Sequence, residues 1–272
     1  MATTTPPRVL ESSAPGHMRW PAERKRRRAR STPRLRMRAP WVTRFRWRSR
    51  WQVPPGVLNV SRDTVAARER ASEGAAIARD HSFALMLAWA STYEGRALAD
   101  LGEAERGLSM MREGVAAGRA TGSSLFESFQ LALFAEAQLR KRLYDESAET
   151  LDEAFAVSGR FGEQFSTSEL RRLKGELRLA RSCDAESRRG AEEDFRAAIE
   201  ISRTLGAKLL TLRASVSLAR LLACTTRSAE ALALVAAARA EVTEGGDLPD
   251  VTEATALLTA AKTLLAYDST DQ

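Results

Sequence analysis

The sequence predicts an all-α protein, a right-handed solenoid of antiparallel helix hairpins closed by a terminal helix, and three observations carry that expectation. Proline is absent between Ser61 and Asp247, and Ala, Leu, Glu and Arg dominate there, residues that lose little side-chain entropy on entering a helix. Apolar residues recur at steps of three and four, as in Leu170, Leu173, Leu177 and Leu209, Leu212, Val216, Leu218, Leu222, without sustained period-two alternation. Finally, one spacing of small and bulky residues repeats along the chain.

That spacing runs from a small anchor to a small residue 12 later, a bulky one at 16 and a small one at 19: Gly95, Gly107, Met111, Gly114, then Ala135, Ser147, Leu151, Ala154. A third copy, Gly175, Ala191, Phe195, Ala198, fits if the turn within residues 181–190 carries four extra residues, and Ala219, Ala231, Val235, Ala238 complete the series with anchors 40, 40 and 44 apart. The mechanical reason is close approach: small residues on paired helices let the axes near each other, and the bulky residue fills the remaining hole. This is the logic of a tetratricopeptide repeat.

Each second helix is expected to stop eight residues after its last small position, at Gly122, Gly162 and Gly206, where the backbone needs a positive φ. Ala67, Ala71 and Gly74, with Ser82 in the glycine position, form one more second helix, whose partner in residues 40–60 does not fit the pattern. Capping boxes are expected at Ser166-Thr-Ser-Glu169, opening the helix of Gly175, and at Asp250-Val-Thr-Glu253, ahead of the apolar run Ala254, Leu257, Leu258, Ala261, Leu264, Leu265 of the terminal helix. The repeat domain should span residues 61–266, with a disordered tail over 267–272.

Residues 1–60 differ in kind, holding 15 of the 42 Lys and Arg but 2 of the 35 Asp and Glu, for a charge of +13 against −6 in the remainder. Eight of nine prolines and four of five tryptophans also fall there, so the pI near 10.0 describes an Arg/Pro-rich arm expected to be disordered. Arg24-Lys-Arg-Arg-Arg28 and the alternation of Arg44, Arg46, Arg48, Arg50 with Phe45, Trp47 and Trp51 have the means to hold phosphates and stack on bases. The simpler account is an unstructured stretch, or a mis-assigned start, before half of a repeat. No run after the arm approaches the roughly 18 apolar residues of a membrane span. The leader lacks an apolar h-region; its composition is that of a transit peptide, but no clean amphipathic helix accompanies it. Cys183 and Cys224 lack CxxC spacing or a nearby His, so the expectation is two reduced thiols, no metal, and a cytoplasmic protein.

Glu169-Leu-Arg-Arg-Leu-Lys-Gly-Glu-Leu177, residues 191–201, Leu212-Arg-Ala-Ser-Val-Ser-Leu-Ala-Arg220 and residues 244–258 resemble the C-terminal tetratricopeptide region of bacterial signalling ATPases of the adenylate/guanylate cyclase-associated and LuxR-type regulator families. The resemblance covers about residues 61–262 and departs from the family at Glu244-Gly-Gly-Asp247, where an aromatic-rich segment is usual, and in residues 1–60, where nothing matches the preceding array. It implies a non-enzymatic, regulatory protein-binding module of a signalling ATPase or cyclase system, in bacteria, and suggests that the chain is a fragment of such a protein.

Chemistry-bearing constellations are few. No Gly-x-x-x-x-Gly-Lys-Ser/Thr loop occurs, and His17 and His81, the latter assigned to a turn, are the only histidines, so neither a triad nor a cofactor site is expected. Glu192-Glu193-Asp194 and Glu146, Glu149, Asp152, Glu153 read as solvated helix faces. The expected partner is a protein or peptide segment in the concave groove, with no membrane, and with nucleic acid met only through residues 24–50. Positions at fixed offsets from the anchors mark that groove: Trp89, Phe129, Glu169 and Arg213 at −6, Arg172 at −3, Arg96, Glu136, Glu176 and Arg220 at +1, and Arg140 at +5. Side chains there either meet a partner or bridge adjacent helices. Glu169 with Arg213, and Glu176 with Arg220, are expected to form two partly exposed cross-repeat ion pairs.

Overall fold

Eleven helices follow one another among the residues the computed structural model describes, 55–223 and 225–270, with Pro55 and residues 261–270 described by backbone alone. They are α1 (Pro55–Val60), α2 (Thr64–Asp80), α3 (Ala84–Asp100), α4 (Ala104–Ala120), α5 (Glu127–Arg140), α6 (Tyr144–Phe161), α7 (Gln164–Arg181), α8 (Ala185–Thr204), α9 (Lys208–Ala223), α10 (Ser228–Glu241) and α11 (Pro249–Thr270). No strand occurs among them. Helices α3 with α4, α5 with α6, α7 with α8, and α9 with α10 are hairpins; α1 pairs with α2, and α11 closes the stack on α9 and α10. The first helices α1, α3, α5, α7, α9 and α11 are neighbours in that order, so the architecture is a tetratricopeptide-like solenoid.

The small positions act as the spacing implies. A Cβ added at Gly107 would meet the Gly95 carbonyl oxygen and, at 2.6 Å, the Ala99 backbone nitrogen, while one added at Gly114 would meet Thr92 Oγ1 and the Ala88 carbonyl. In the next hairpin the Ser147 hydroxyl donates to the Ala135 carbonyl at 2.9 Å, and in the third the Phe195 ring fills the space a side chain at Gly175 would need. Gly122, Gly162 and Gly206 have φ of 77°, 68° and 65°, and Ser82 takes the same role with φ 57°. Three apolar clusters lie along the stack, around Met111 and Phe134, around Leu151 and Leu173, and around Phe195 and Leu218. Each hairpin thus buries its face on its neighbours.

Four expectations change. The four extra residues of the third repeat do not enlarge the turn but add one turn of helix to the start of α8, 20 residues long, since about 3.6 residues return Ala191 to the facing side. Neither capping box forms: α7 begins at Gln164 with Ser166 donating to the Glu163 carbonyl, and α11 begins at Pro249, so Glu169 and Asp250 lie within helices and turn to arginines. Asp194 is no solvated carboxylate; it is buried and accepts from Arg171 at 3.0 Å and Arg178 at 2.9 Å. Lastly, helix occupies Pro55–Val60 and reaches Thr270, inside the stretches assigned to arm and tail. Pro55 starts α1 with a preset φ, and Val57, Leu58 and Val60 supply an apolar side that the arm's composition concealed. Residues 1–54, Cys224 and residues 271–272 lie outside the described residues.

Candidate functional site

All ten groove positions named from the sequence lie on the first helices α3, α5, α7 and α9, and the packing of those helices decides what their side chains do. At the N-terminal end aromatic rings gather: Trp89 meets Phe126 edge-on at 5.5 Å, and Phe129 lies 6.4 Å from Tyr93 and 5.7 Å from Phe165. Phe126 and Phe165 remain about half exposed, leaving an aromatic rim open to solvent. Burial raises the Tyr93 phenol to about 12.

Further along, charges interlock. Arg96, 1% exposed, donates to Asp100 at 2.9 Å, to the Leu133 carbonyl at 3.2 Å, and meets Glu136 at 2.7 Å. Glu136 also holds Arg140 at 3.1 Å and Arg172 at 3.3 Å. Arg172 passes the contact to Glu169 at 2.6 Å, Glu169 to Arg213 at 3.2 Å, and Arg213 donates to Asp250 of α11 at 3.1 Å. Arg62, in the turn between α1 and α2, closes the series on Asp250 at 3.1 Å, Glu253 at 3.5 Å and Glu136 at 3.7 Å.

The expected pair Glu169 with Arg213 is therefore present, but it is buried rather than partly exposed. The pair Glu176 with Arg220 is absent: Glu176 accepts from the Ser217 hydroxyl at 2.6 Å and lies 3.6 Å from Arg172, while Arg220 pairs with Glu253. The reason is geometric, since α11 brings carboxylates to α9 on the side away from α7. Six guanidiniums, of Arg62, Arg96, Arg140, Arg172, Arg213 and Arg220, face six carboxylates, of Asp100, Glu136, Glu169, Glu176, Asp250 and Glu253. The ladder neutralises itself, so it can position a partner without attracting it by net charge.

Sequence reasoning had missed Val60, Arg62, Asp250 and Glu253. The 40-residue period contains two of them: counted back from Gly95 it makes Pro55 an anchor with Val60 at +5, and counted on from Ala219 it places Glu253 at −6. For Asp250 the acidic-cap pattern pointed elsewhere.

Burial by itself would push the Glu136 carboxyl up, yet Arg96, Arg140 and Arg172 outweigh it and hold Glu136 well below the usual carboxylate range. Glu169 is lowered likewise, burial being outweighed by Arg172 and Arg213. A depressed folded-state value means that the stabilisation is complete above the ordinary value of about 4.3 and is lost as pH falls through the folded one. The urea midpoint should accordingly stay level from pH 7 to about 5 and drop below about 4. Glu136→Gln, weaker at pH 7, should lose less on acidification; equal losses in the two chains would remove Glu136 as the cause.

Among the described residues no group of three or more His, Cys, Asp and Glu is placed to hold a metal ion, and no helix is long and apolar enough to cross a membrane. Cys183 is exposed, and His81 stands in the turn after α2, stacked on Phe83. No protein-family model matches the chain, and no curated protein does. Among solved structures, the apo form of RapI overlays with a TM-score of 0.56 at 14% identity, covering 70% of this chain and 67% of that one. A Podosopora anserina putative kinesin light chain with nearly identical TPR-like repeats gives 0.44 at 17% identity, covering 70% of this chain and 99% of its own. The likeness to RapI is one of fold.

Proposed function

We propose that the array is a non-catalytic protein-interaction module that takes a polypeptide segment along its first-helix face. One observation carries this reading: the face already receives polypeptide, because the Arg213 guanidinium donates to the Val60 carbonyl while Asp250, Glu253 and Glu136 hold the Arg62 side chain. A buried ladder fixed by its own ion pairs costs little further ordering when a ligand arrives, which favours binding. The resemblance at Glu169 to Leu177 and at Leu212 to Arg220 supports a finer reading, the regulatory portion of a bacterial signalling ATPase or cyclase system.

Two tests follow. Peptides selected on the full chain from a displayed random library should lose at least tenfold in affinity to Trp89→Ala and Phe165→Ala chains, and none to Glu149→Ala, an exposed residue of a second helix. Selection yielding no binder, or equal loss for all three substitutions, would sink the proposal. The purified chain should also neither hydrolyse ATP nor cyclise it, for lack of a phosphate-cradling loop. Turnover that survives repurification would refute the non-catalytic assignment.

A further inference from the structure

Residues 56–62 occupy the groove in the manner of a ligand. Gly56 lies against the Tyr93 ring and, beyond it, Phe129, so close that a Cβ there would stand 3.2 Å from the Tyr93 hydroxyl. Val60 lines one small cleft with Phe129, Leu133, Phe165 and Leu210, drawn from α5, α7 and α9. Its carbonyl accepts from Arg213, and two residues on Arg62 enters a second cleft with Asp250 and Glu253 of α11 and Arg220 of α9. An apolar side chain, a backbone carbonyl and a guanidinium are thus read by three separate features of the face.

This occupant is imperfectly fitted. Arg62 Nε is buried and has no hydrogen-bond partner, and Val57, on the same short helix, is 52% exposed. Burial and the neighbouring Arg213 lower the affinity of Arg62 for its proton, whereas Arg96, Arg172 and Arg213 hold theirs more tightly than usual because carboxylates outweigh their burial. The ladder holds Arg62 less well than these three. A helix of six residues adds little of its own, since isolated helices that short do not persist in water.

Resting on the reading of this face as a peptide groove, we propose that residues 56–62 are an internal competitor, and that the partner is a segment carrying an apolar residue followed two positions later by arginine, which displaces them. A segment tethered in the same chain acts at an effective concentration in the millimolar range, so it sets a threshold a free partner must exceed. Displacement removes only Arg62 from the ladder, whose place the partner's arginine takes, because Arg213 keeps Glu169 and Asp250, and Glu253 keeps Arg220.

The experiment titrates a fluorescein-labelled synthetic peptide of residues 55–63 against the full chain and against the full chain carrying Val60→Ser and Arg62→Gly. Glycine keeps the turn, since the same turn in the next hairpin holds Gly102 at φ 102° where Arg62 has φ 58°. The expected result is binding at least tenfold tighter to the substituted chain, lost when the peptide's own arginine is replaced by glutamate. Equal binding to both chains overturns the competitor while leaving a peptide groove. Binding to neither overturns both, as does equal binding of the glutamate peptide for the apolar-x-arginine specificity. A chain that is dimeric unless Val60 and Arg62 are substituted assigns the segment to a second copy and overturns the internal contact. Should the substituted chain lose helicity, hydrogen exchange on the unsubstituted chain decides: saturating peptide should speed exchange at residues 57–62 and not within α5 or α7, and unchanged exchange refutes displacement.

Discussion

Arg96→Ala is expected to cost about 3–5 kcal/mol, the range found when one partner of a buried ion pair is removed. Arg96 is among the largest fully buried side chains of the described residues, and truncation strips a cation from Glu136, a donor from Asp100 and from the Leu133 carbonyl, and leaves a cavity between α3 and α5. Arg96→Met separates these effects. It restores most of the volume, and Glu136 still has Arg140 and Arg172, so the methionine chain should recover part of the loss. Urea midpoints report the total, and hydrogen exchange in α3 and α5 locates it, since repeat arrays need not unfold as one unit. If both chains stay within about 1 kcal/mol of the parent, a typical cost for an ordinary substitution, the ladder does not hold the stack.

Gly107→Ala should cost about 3 kcal/mol, the upper part of the usual range for overpacking. The added methyl meets backbone of Gly95 and Ala99, which cannot turn aside as a side chain would; α3 and α4 must part, exposing Met111 and Leu108. The contrast is Gly159→Ala on α6, where nothing lies within 4 Å and the backbone is helical. There alanine should add about 0.5–1 kcal/mol, the ordinary helix preference over glycine. A Gly107→Ala chain as stable as the parent would refute the close approach of α3 and α4.

Both effects bear on how much of this protein its sequence discloses. Gly107 was legible because close helix approach admits only small residues, a local requirement that leaves its mark at every repeat. Arg96 was legible as a groove position but not as a buried one. Its burial depends on Glu136 being 40 residues away on the adjoining helix, whereas Arg220, at the same offset at the end of the stack, pairs with the partly exposed Glu253 and stays exposed.

The sequence by itself determined the helices from α2 onward, the pairing of α3 to α10 into hairpins, and the positive-φ stops at Gly122, Gly162, Gly206 and Ser82, because these follow from steric rules acting within some forty residues. Only the tertiary structure decided which charges meet. Asp250 and Glu169 carry the pattern of helix caps and instead hold Arg213, since a buried guanidinium without a carboxylate costs more than a cap returns. It also decided that Val60 and Arg62 lie beside α9 and α11, more than 150 residues further along the chain, where the winding of the solenoid brings its first hairpin to its last.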